Sequence, residues 1–355
     1  MPGSVSARRG RRRSSAPPTQ LGAPGRSERL HRHRLPLSVI AVMIAAGALI
    51  GVATVAGWHN VVRDAWPIHP GWIALGVAGQ VLALAGYTAA FRSVTAAGGC
   101  EPLPTRDAAD VVTAGFGAFA LGGGFAVDRR ALDEAGYDSR DSTVRVLGLG
   151  ALEYAVLAPA TCVAAIALLL EGSSAQRAML WSWAIGVPAG LAIGLWASAP
   201  DRRLRVRDGG RLRRALCHAL DGVGMLHELV RHPIRYAAAW WGMTLYWAAD
   251  IATLYAALRL FGVHLGAAET IVAYSTGYAA TRRTLPLAGV GATEVLLALS
   301  LTWVGVGLAT AVPVVAAYRL ANVALLLVPA LHAHGRLGRH RRRGPPPALP
   351  KPTAR

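Results

Sequence analysis

The sequence predicts an all-α, polytopic membrane bundle of about six spans plus two re-entrant hairpins, arranged as an inverted repeat. Three observations lead there. Of 355 residues, 53% are hydrophobic and 16% charged, against about 25% charged in an ordinary soluble domain. The charges are segregated: Leu37–Trp58 holds none, while both termini are crowded with arginine. Two long apolar stretches are broken by glycine, proline and ionisable residues, which a simple span does not tolerate.

A helix needs about 20 apolar residues to cross a bilayer. Leu37–Trp58, Trp72–Phe91, Thr143–Leu170, Met179–Ala199, Tyr236–Leu258 and Ala311–Leu331 meet that length. The first is too long for the apolar core of a signal peptide, about 7–15 residues, and is read as a retained span. Asp110–Val127 carries Gly115, Gly117, Gly122, Gly123 and Gly124; Ala267–Ala309 is interrupted by Arg282, Arg283, Pro286, Gly289, Gly291 and Glu294. Both read as re-entrant hairpins. Residues 1–36 and 333–355 are basic tails expected to be disordered, the second rich in proline, and 37–332 form the helical membrane domain.

Charge placement sets the topology. The net charge of +18 is almost entirely arginine, Lys351 being the single lysine. Arginine beside apolar spans follows the positive-inside rule, which explains the charge better than nucleic-acid binding does. The two tails and Asp201–Arg235 are therefore expected on one, cytoplasmic side. That holds only if both broken regions dip in and return, leaving six crossings. Leu212–Val230 is expected as an amphipathic helix on the inner membrane surface. Arginine in place of lysine, with heavy use of alanine and glycine, suggests a GC-rich genome and so a bacterial plasma membrane.

A shift of 166 residues aligns the broken regions without a gap. Leu121 falls on Leu287, Gly123 on Gly289, Asp128 on Glu294, Val146 on Val312 and Glu153 on Arg319; with one gap, Arg92 falls on Arg259. Paired interrupted segments in inverted halves point to a transport site near the bilayer midplane.

Ionisable groups within a span cost about 2.5–3.5 kcal/mol on insertion scales, so they face the protein interior. Asp250, Glu153, Glu294, Arg319 and the pair Arg282 and Arg283 are such groups. One reading is a polar path for a lipid headgroup. Arg282, Arg283 and Arg319 would hold phosphate through their planar forks, with the backbone at Gly289 and Gly291 approaching the same anion. Asp250, Glu294, Glu153 and Asp128 would balance charge or carry a coupling proton. The plainer reading is structural: a Glu294–Arg319 salt bridge locking the hairpin to the last helix, Asp250 as an interhelical contact, and Glu153 near a helix end. Both stay open at this point.

Other patterns carry less. Gly289–Glu294 lacks the preceding strand and third glycine of a dinucleotide site. Cys100, Cys162 and Cys217 are too scattered for a metal or disulfide framework, and His31 and His33 lie in a solvated tail. No cofactor, metal site or catalytic motif is expected, and no enzymatic activity, a membrane-embedded glycosyl- or acyltransferase using intramembrane carboxylates being the weaker alternative.

The run from Leu285 through Pro286, Gly289, Gly291 and Glu294, with Tyr318-Arg319 in the last helix and Trp247-Ala248-Ala249-Asp250 before it, resembles a known family. It is similar to the membrane region of lysylphosphatidylglycerol synthases, a flippase-like domain family. Gly122–Gly124 and Arg129-Arg130-Ala131-Leu132 resemble that family's first-half motif. The resemblance covers roughly residues 37–332. Ala288 departs from the family's paired glycine, and one proline is missing. The resemblance implies lipid translocation or lipid binding. The sequence ends at Arg355 without the large soluble domain that transfers lysine, so no transferase is expected. Membrane lipids are the expected partners. The alternative is a scaffold for a separate lipid-modifying enzyme or glycosyltransferase.

Overall fold

A computed structural model describes residues 71–97, 101–119, 124–197, 222–279 and 291–322, with isolated positions between 47 and 59. The span expected over Leu37–Trp58 and both tails fall outside the described residues, apart from those isolated positions. So do Arg282, Arg283 and Gly289, residues 201–221 of the basic loop and residues 121–123 of the first glycine run. Every element among the described residues is helical: α1 (Gly71–Thr95), α2 (Thr105–Phe119), α3 (Gly124–Glu134), α4 (Ser139–Leu170), α5 (Arg177–Ala197), α6 (222–231), α7 (Ala237–Leu260), α8 (Ala267–Tyr274), α9 (Ala292–Trp303) and α10 (308–322). A π-helical turn, Ser275–Ala279, extends α8. The chain is all-α, and two of its helices, α1 and α4, are long and apolar enough to cross a membrane.

The helices begin and end where local chemistry directs. α4 starts after Asp138 and carries Asp141 in its first turn, where a negative charge meets the positive end of the helix dipole. It ends at Gly172, whose φ of 67° only glycine adopts cheaply. Both α8 and α9 start on a glycine whose N–H is capped by the glutamate three residues on, Gly266 by Glu269 at 2.9 Å and Gly291 by Glu294 at 2.7 Å.

The most extensive packing joins α1 to α7, and the two run antiparallel. Gly76 faces Ala256, Gly79 faces Ala249 and Thr253, and Gly86 faces Gly242 and Tyr246. A Cβ on Gly86 would stand 2.6 Å from the Gly242 carbonyl, and one on Gly242 would stand 2.6 Å from the Gly86 carbonyl. The seam therefore exists because small residues let the backbones touch. Gly79 and Gly86 are seven apart, as are Gly242, Ala249 and Ala256, the repeat of a left-handed supercoil.

Around this seam lie two hairpins. α2 and α3 form the first. Its entry and exit meet at one end of the bundle, where the Tyr137 hydroxyl donates to the Glu101 carbonyl at 3.1 Å. α8 and α9 form the second, and both of its outer ends lie at the opposite end. The Gln176 N–H donates to the Trp303 carbonyl at 2.8 Å, and Gly266 to Glu269 share a cleft with Glu171 and Ser173. Its legs are antiparallel: Ser300 donates to the Ala273 carbonyl at 2.8 Å, and Gly277 packs directly on the Leu297 backbone. Among the described residues most arginines sit at the first end: Arg92, Arg106, Arg129, Arg130, Arg140, Arg145, Arg231 and Arg235. Arg177 and Arg259 sit at the other.

The amphipathic helix expected over Leu212–Val230 is described only from residue 222. It is α6, docked on α4 through Gly222 against Leu147 and Met225 against Gly148.

Candidate functional site

The site is built around Asp250, halfway along α7 and 1% exposed. Gln80 of α1 donates to Oδ1 at 2.8 Å and Asn322 of α10 at 3.2 Å, while Tyr274 of α8 donates to Oδ2 at 2.6 Å. Tyr318 of α10 reaches both oxygens at 3.3 Å. An ionised carboxylate offers about four acceptor positions, and neutral donors from three neighbouring helices fill them. Gln80 also donates to Thr253 Oγ1 at 3.1 Å, which ties the network into the glycine seam.

Arg319, next to Tyr318 in the chain, reaches the second carboxylate. Glu294, fully buried at the start of α9, uses Oε2 to cap the Gly291 N–H. It uses Oε1 to accept Arg319 Nε at 2.6 Å. Gly291 holds φ 87°, so the turn that aims Glu294 inward depends on glycine. The structural salt bridge weighed from sequence is thus present, and Arg319 presents its Nε to the protein. Adjacent residues Tyr318 and Arg319 hold the two acids in one arrangement.

Glu153 joins this region through its backbone. Its carbonyl accepts Trp247 Nε1 at 2.9 Å. It lies well inside α4 and is buried, so the expectation that it sits near a helix end gives way to an interior position. Asp128 is buried too, in the first turns of α3, but belongs to the other hairpin. Asp128 and Glu294 each stand in the first two turns of the second helix of their hairpin.

A chain of aromatic rings connects those hairpins. Phe116 of α2 meets Tyr87 at 4.8 Å between centroids, and Tyr87 meets Tyr246 at 5.1 Å. Tyr246 meets Trp247 at 4.6 Å, Trp247 meets Tyr274 at 5.9 Å, and Tyr274 meets Tyr318 at 6.3 Å. Most of these pairs are edge-to-face, the arrangement the ring quadrupole favours. The chain ends on the two tyrosines that bind Asp250.

Beside Tyr274 the backbone turns π-helical at Ser275–Ala279, a distortion frequent at functional sites. It is pinned from outside: Thr161 and Ser275 hydroxyls lie 2.7 Å apart, and Trp183 Nε1 donates to Thr276 at 2.8 Å.

No family model and no curated protein matches this chain. Three stretches singled out from the sequence, Trp247 to Asp250, Glu294 and Tyr318-Arg319, converge in space. Asp250, Glu294, Arg319 and Gly291 form one network, with Glu153 linked through Trp247.

Several residues were not singled out from sequence: Gln80, Tyr274 and Asn322 in the network, and Arg145 at the basic end. A polar residue in an otherwise apolar span was the signal for Gln80. Tyr274 and Asn322 look ordinary in one dimension, because what matters is the helix they face. Arg145, 6% exposed, donates from Nη1 to the Val94, Thr95 and Ala97 carbonyls, closing the C-terminus of α1, and its guanidinium lies 5.0 Å over the Tyr137 ring. An open cleft of about 550 Å³ lined by Leu168, Glu171, Ser173, Ser174 and Gly266 to Glu269 lies at the end opposite the basic residues, away from Asp250.

Proposed function

We propose that this chain is a multi-pass membrane protein that binds and translocates a phosphate-bearing lipid headgroup, from a phospholipid or a polyprenyl-linked lipid. One observation carries the reading. Two broken helical hairpins enter from opposite ends, and a buried polar and aromatic network links them beside Asp250. Irregular backbone inside a membrane persists where it is buried in protein or lines a cavity, and inverted hairpins meeting at the midplane are the arrangement of many transporters. The likeness to the flippase-like family points to the same substrate class.

The membrane reading has its own support. Large apolar side chains face outward along the helices: Val77 and Val81 on α1, Val163 and Leu170 on α4, Ile185, Ile193 and Trp196 on α5. Soluble monomers rarely expose apolar surface so continuously. α5 with 21 residues and α7 with 24 would reach about 32 and 36 Å at 1.5 Å per residue, enough for a hydrocarbon core of about 30 Å. With the apolar stretches Leu37–Trp58 and Ala311–Leu331 of the sequence these would make six spans, α2–α3 and α8–α9 being the re-entrant hairpins. The arginine-rich end would be cytoplasmic, with both termini there. In this arrangement Arg319, helped by Arg282 and Arg283, meets the phosphate when Glu294 releases it. Asp250 is the coupling group.

A second reading has one observation in its favour. Asp250 and Glu294 are both engaged by the protein's own side chains, as in a static frame. On that reading the chain is a scaffold for a separate lipid-modifying enzyme or glycosyltransferase. Reconstitution into vesicles with a fluorescent headgroup-labelled lipid decides. Translocation above protein-free vesicles, lost in Arg319→Ala and Asp250→Asn, is the expected result. Wild-type rates equal to empty vesicles favour the scaffold, and equal rates in both variants remove the proposed site.

A further inference from the structure

Outside the central network, one surface at the basic end combines apolar exposure with cationic charge. Val230 is 55% exposed, Ile234 91% and Trp241 74%. Together with Leu245, also exposed, they form a stripe from the end of α6, across the turn at 232–236, onto the first turns of α7. Arg231 and Arg235 flank Ile234 and are both exposed. Arg235 lies with its guanidinium carbon 5.6 Å over the Tyr236 ring, which keeps the charge at the surface beside the stripe. Trp240 Nε1 donates to the Leu229 carbonyl at 3.3 Å, fastening α6 to α7 so that the two halves of the stripe hold register.

Other charges border the patch. Glu228 faces His232 at 3.9 Å, so its carboxylate is turned to the imidazole, and His227 is exposed. The local sum is cationic, and the sequence directly before α6 adds Arg202, Arg203, Arg205, Arg207, Arg211, Arg213 and Arg214. A side chain as apolar as Ile234, left almost wholly exposed between two arginines, suits neither water nor a protein core. It suits the headgroup boundary of a bilayer, where aliphatic and indole groups enter the acyl region and arginines stay at phosphate level.

We propose that residues 227–241 form a seat for an anionic phospholipid of the leaflet at the basic end. Arg231 and Arg235 hold the headgroup phosphate, Val230 and Ile234 lie among acyl chains, and Trp241 sits at the carbonyl level. The seat rests on the membrane reading above but not on translocation. It recruits a defined lipid beside α7, the helix that carries Asp250, and fixes the depth at which α6 rides.

The test uses the full chain purified in a neutral detergent, with thermal unfolding followed during titration with phosphatidylglycerol or phosphatidylcholine. Phosphatidylglycerol should stabilise at the lower concentration. Arg231→Gln with Arg235→Gln should raise its half-saturating concentration roughly fivefold per arginine and shift the curve for zwitterionic phosphatidylcholine by less. Arg177→Gln at the opposite end should change neither. Equal curves for the two lipids in the wild type, or an unchanged curve in the double variant, overturn the seat. So does an equal shift from inorganic phosphate alone, which makes the surface an ion site. If the double variant does not fold, a phospholipid with a photoreactive headgroup is cross-linked to the wild type. Adducts within 227–241 support the seat, and adducts confined elsewhere overturn it. A chain that stays monodisperse without detergent defeats the membrane reading itself. A detergent-dependent chain with no lipid preference defeats only the seat.

Discussion

The two hairpins share an outline and differ in where they are fastened. The first, α2–α3, is held at its base: Arg145 closes the end of α1 through three carbonyls, and Tyr137 bridges to Glu101. The second, α8–α9, is held deep inside: Glu294 caps Gly291 and pairs with Arg319, while Ser300 and Gly277 fasten one leg to the other. A clasp at the inner end makes that end part of the polar network. The difference teaches that two hairpins of like outline can be fastened at different depths. Glu294 closes a salt bridge with Arg319, next to the Tyr318 that binds Asp250, whereas the described clasps of the first hairpin, Arg145 and Tyr137, lie at its base.

Cutting the inner clasp gives the largest expected effect. Glu294→Ala leaves Arg319 without its carboxylate in a mostly buried position, and losing one partner of a buried ion pair costs about 3–5 kcal/mol. Thermal unfolding in detergent should show it, and hydrogen exchange should rise in 292–303 before it rises in 105–134. Simultaneous loosening of both hairpins would erase the distinction between them.

Next in size is the seam both halves share. Gly242→Val places a branched side chain where the Gly86 carbonyl stands 2.6 Å from a Cβ, and overpacking of this kind costs about 3 kcal/mol. Exchange should rise in α1 and α7 together. A variant as stable as the wild type would show that the backbones do not touch.

The base clasp comes third. Arg145→Met removes charge-assisted hydrogen bonds to carbonyls at a buried site, about 2 kcal/mol. Exchange protection should fall at 94–119 and hold at 292–303. A uniform fall would mean that Arg145 serves the whole bundle.

The smallest effect is expected in the aromatic link. Phe116→Leu keeps an apolar side chain but removes its edge-to-face contacts with Tyr87 and Tyr246, about 1 kcal/mol. If the link couples the hairpins, combining it with Glu294→Ala should give a non-additive loss of stability. Simple additivity would reduce it to core packing.

Much of this organisation was legible in the chain. Long, mostly apolar runs marked α1, α4, α5 and α7, because such length and hydropathy suit a helix in an apolar surrounding. Glycine runs flanking buried acids marked the hairpins. Asp250, Glu294 and Arg319 were conspicuous because an ionisable side chain in an apolar helix is costly and so stands out. Their partners were not. Gln80 and Asn322 are only mildly unusual in composition, and the tyrosines at 274 and 318 match many that merely fill space. The glycine seam was written in plain spacing, Gly79 with Gly86 and Gly242 with Ala249 and Ala256, but seven-residue spacing of small residues is common in apolar helices.

By itself the sequence determined the helical class, the two breaks and which acids had to find partners, since those follow from hydropathy and backbone chemistry read one segment at a time. Only the tertiary structure decided that Asp250 is filled by neutral donors from α1, α8 and α10, that Glu294 takes Arg319, and that Arg145 holds the first hairpin at its base. Each of those choices depends on which helix faces which, a relation between residues tens to hundreds of positions apart that no local pattern encodes.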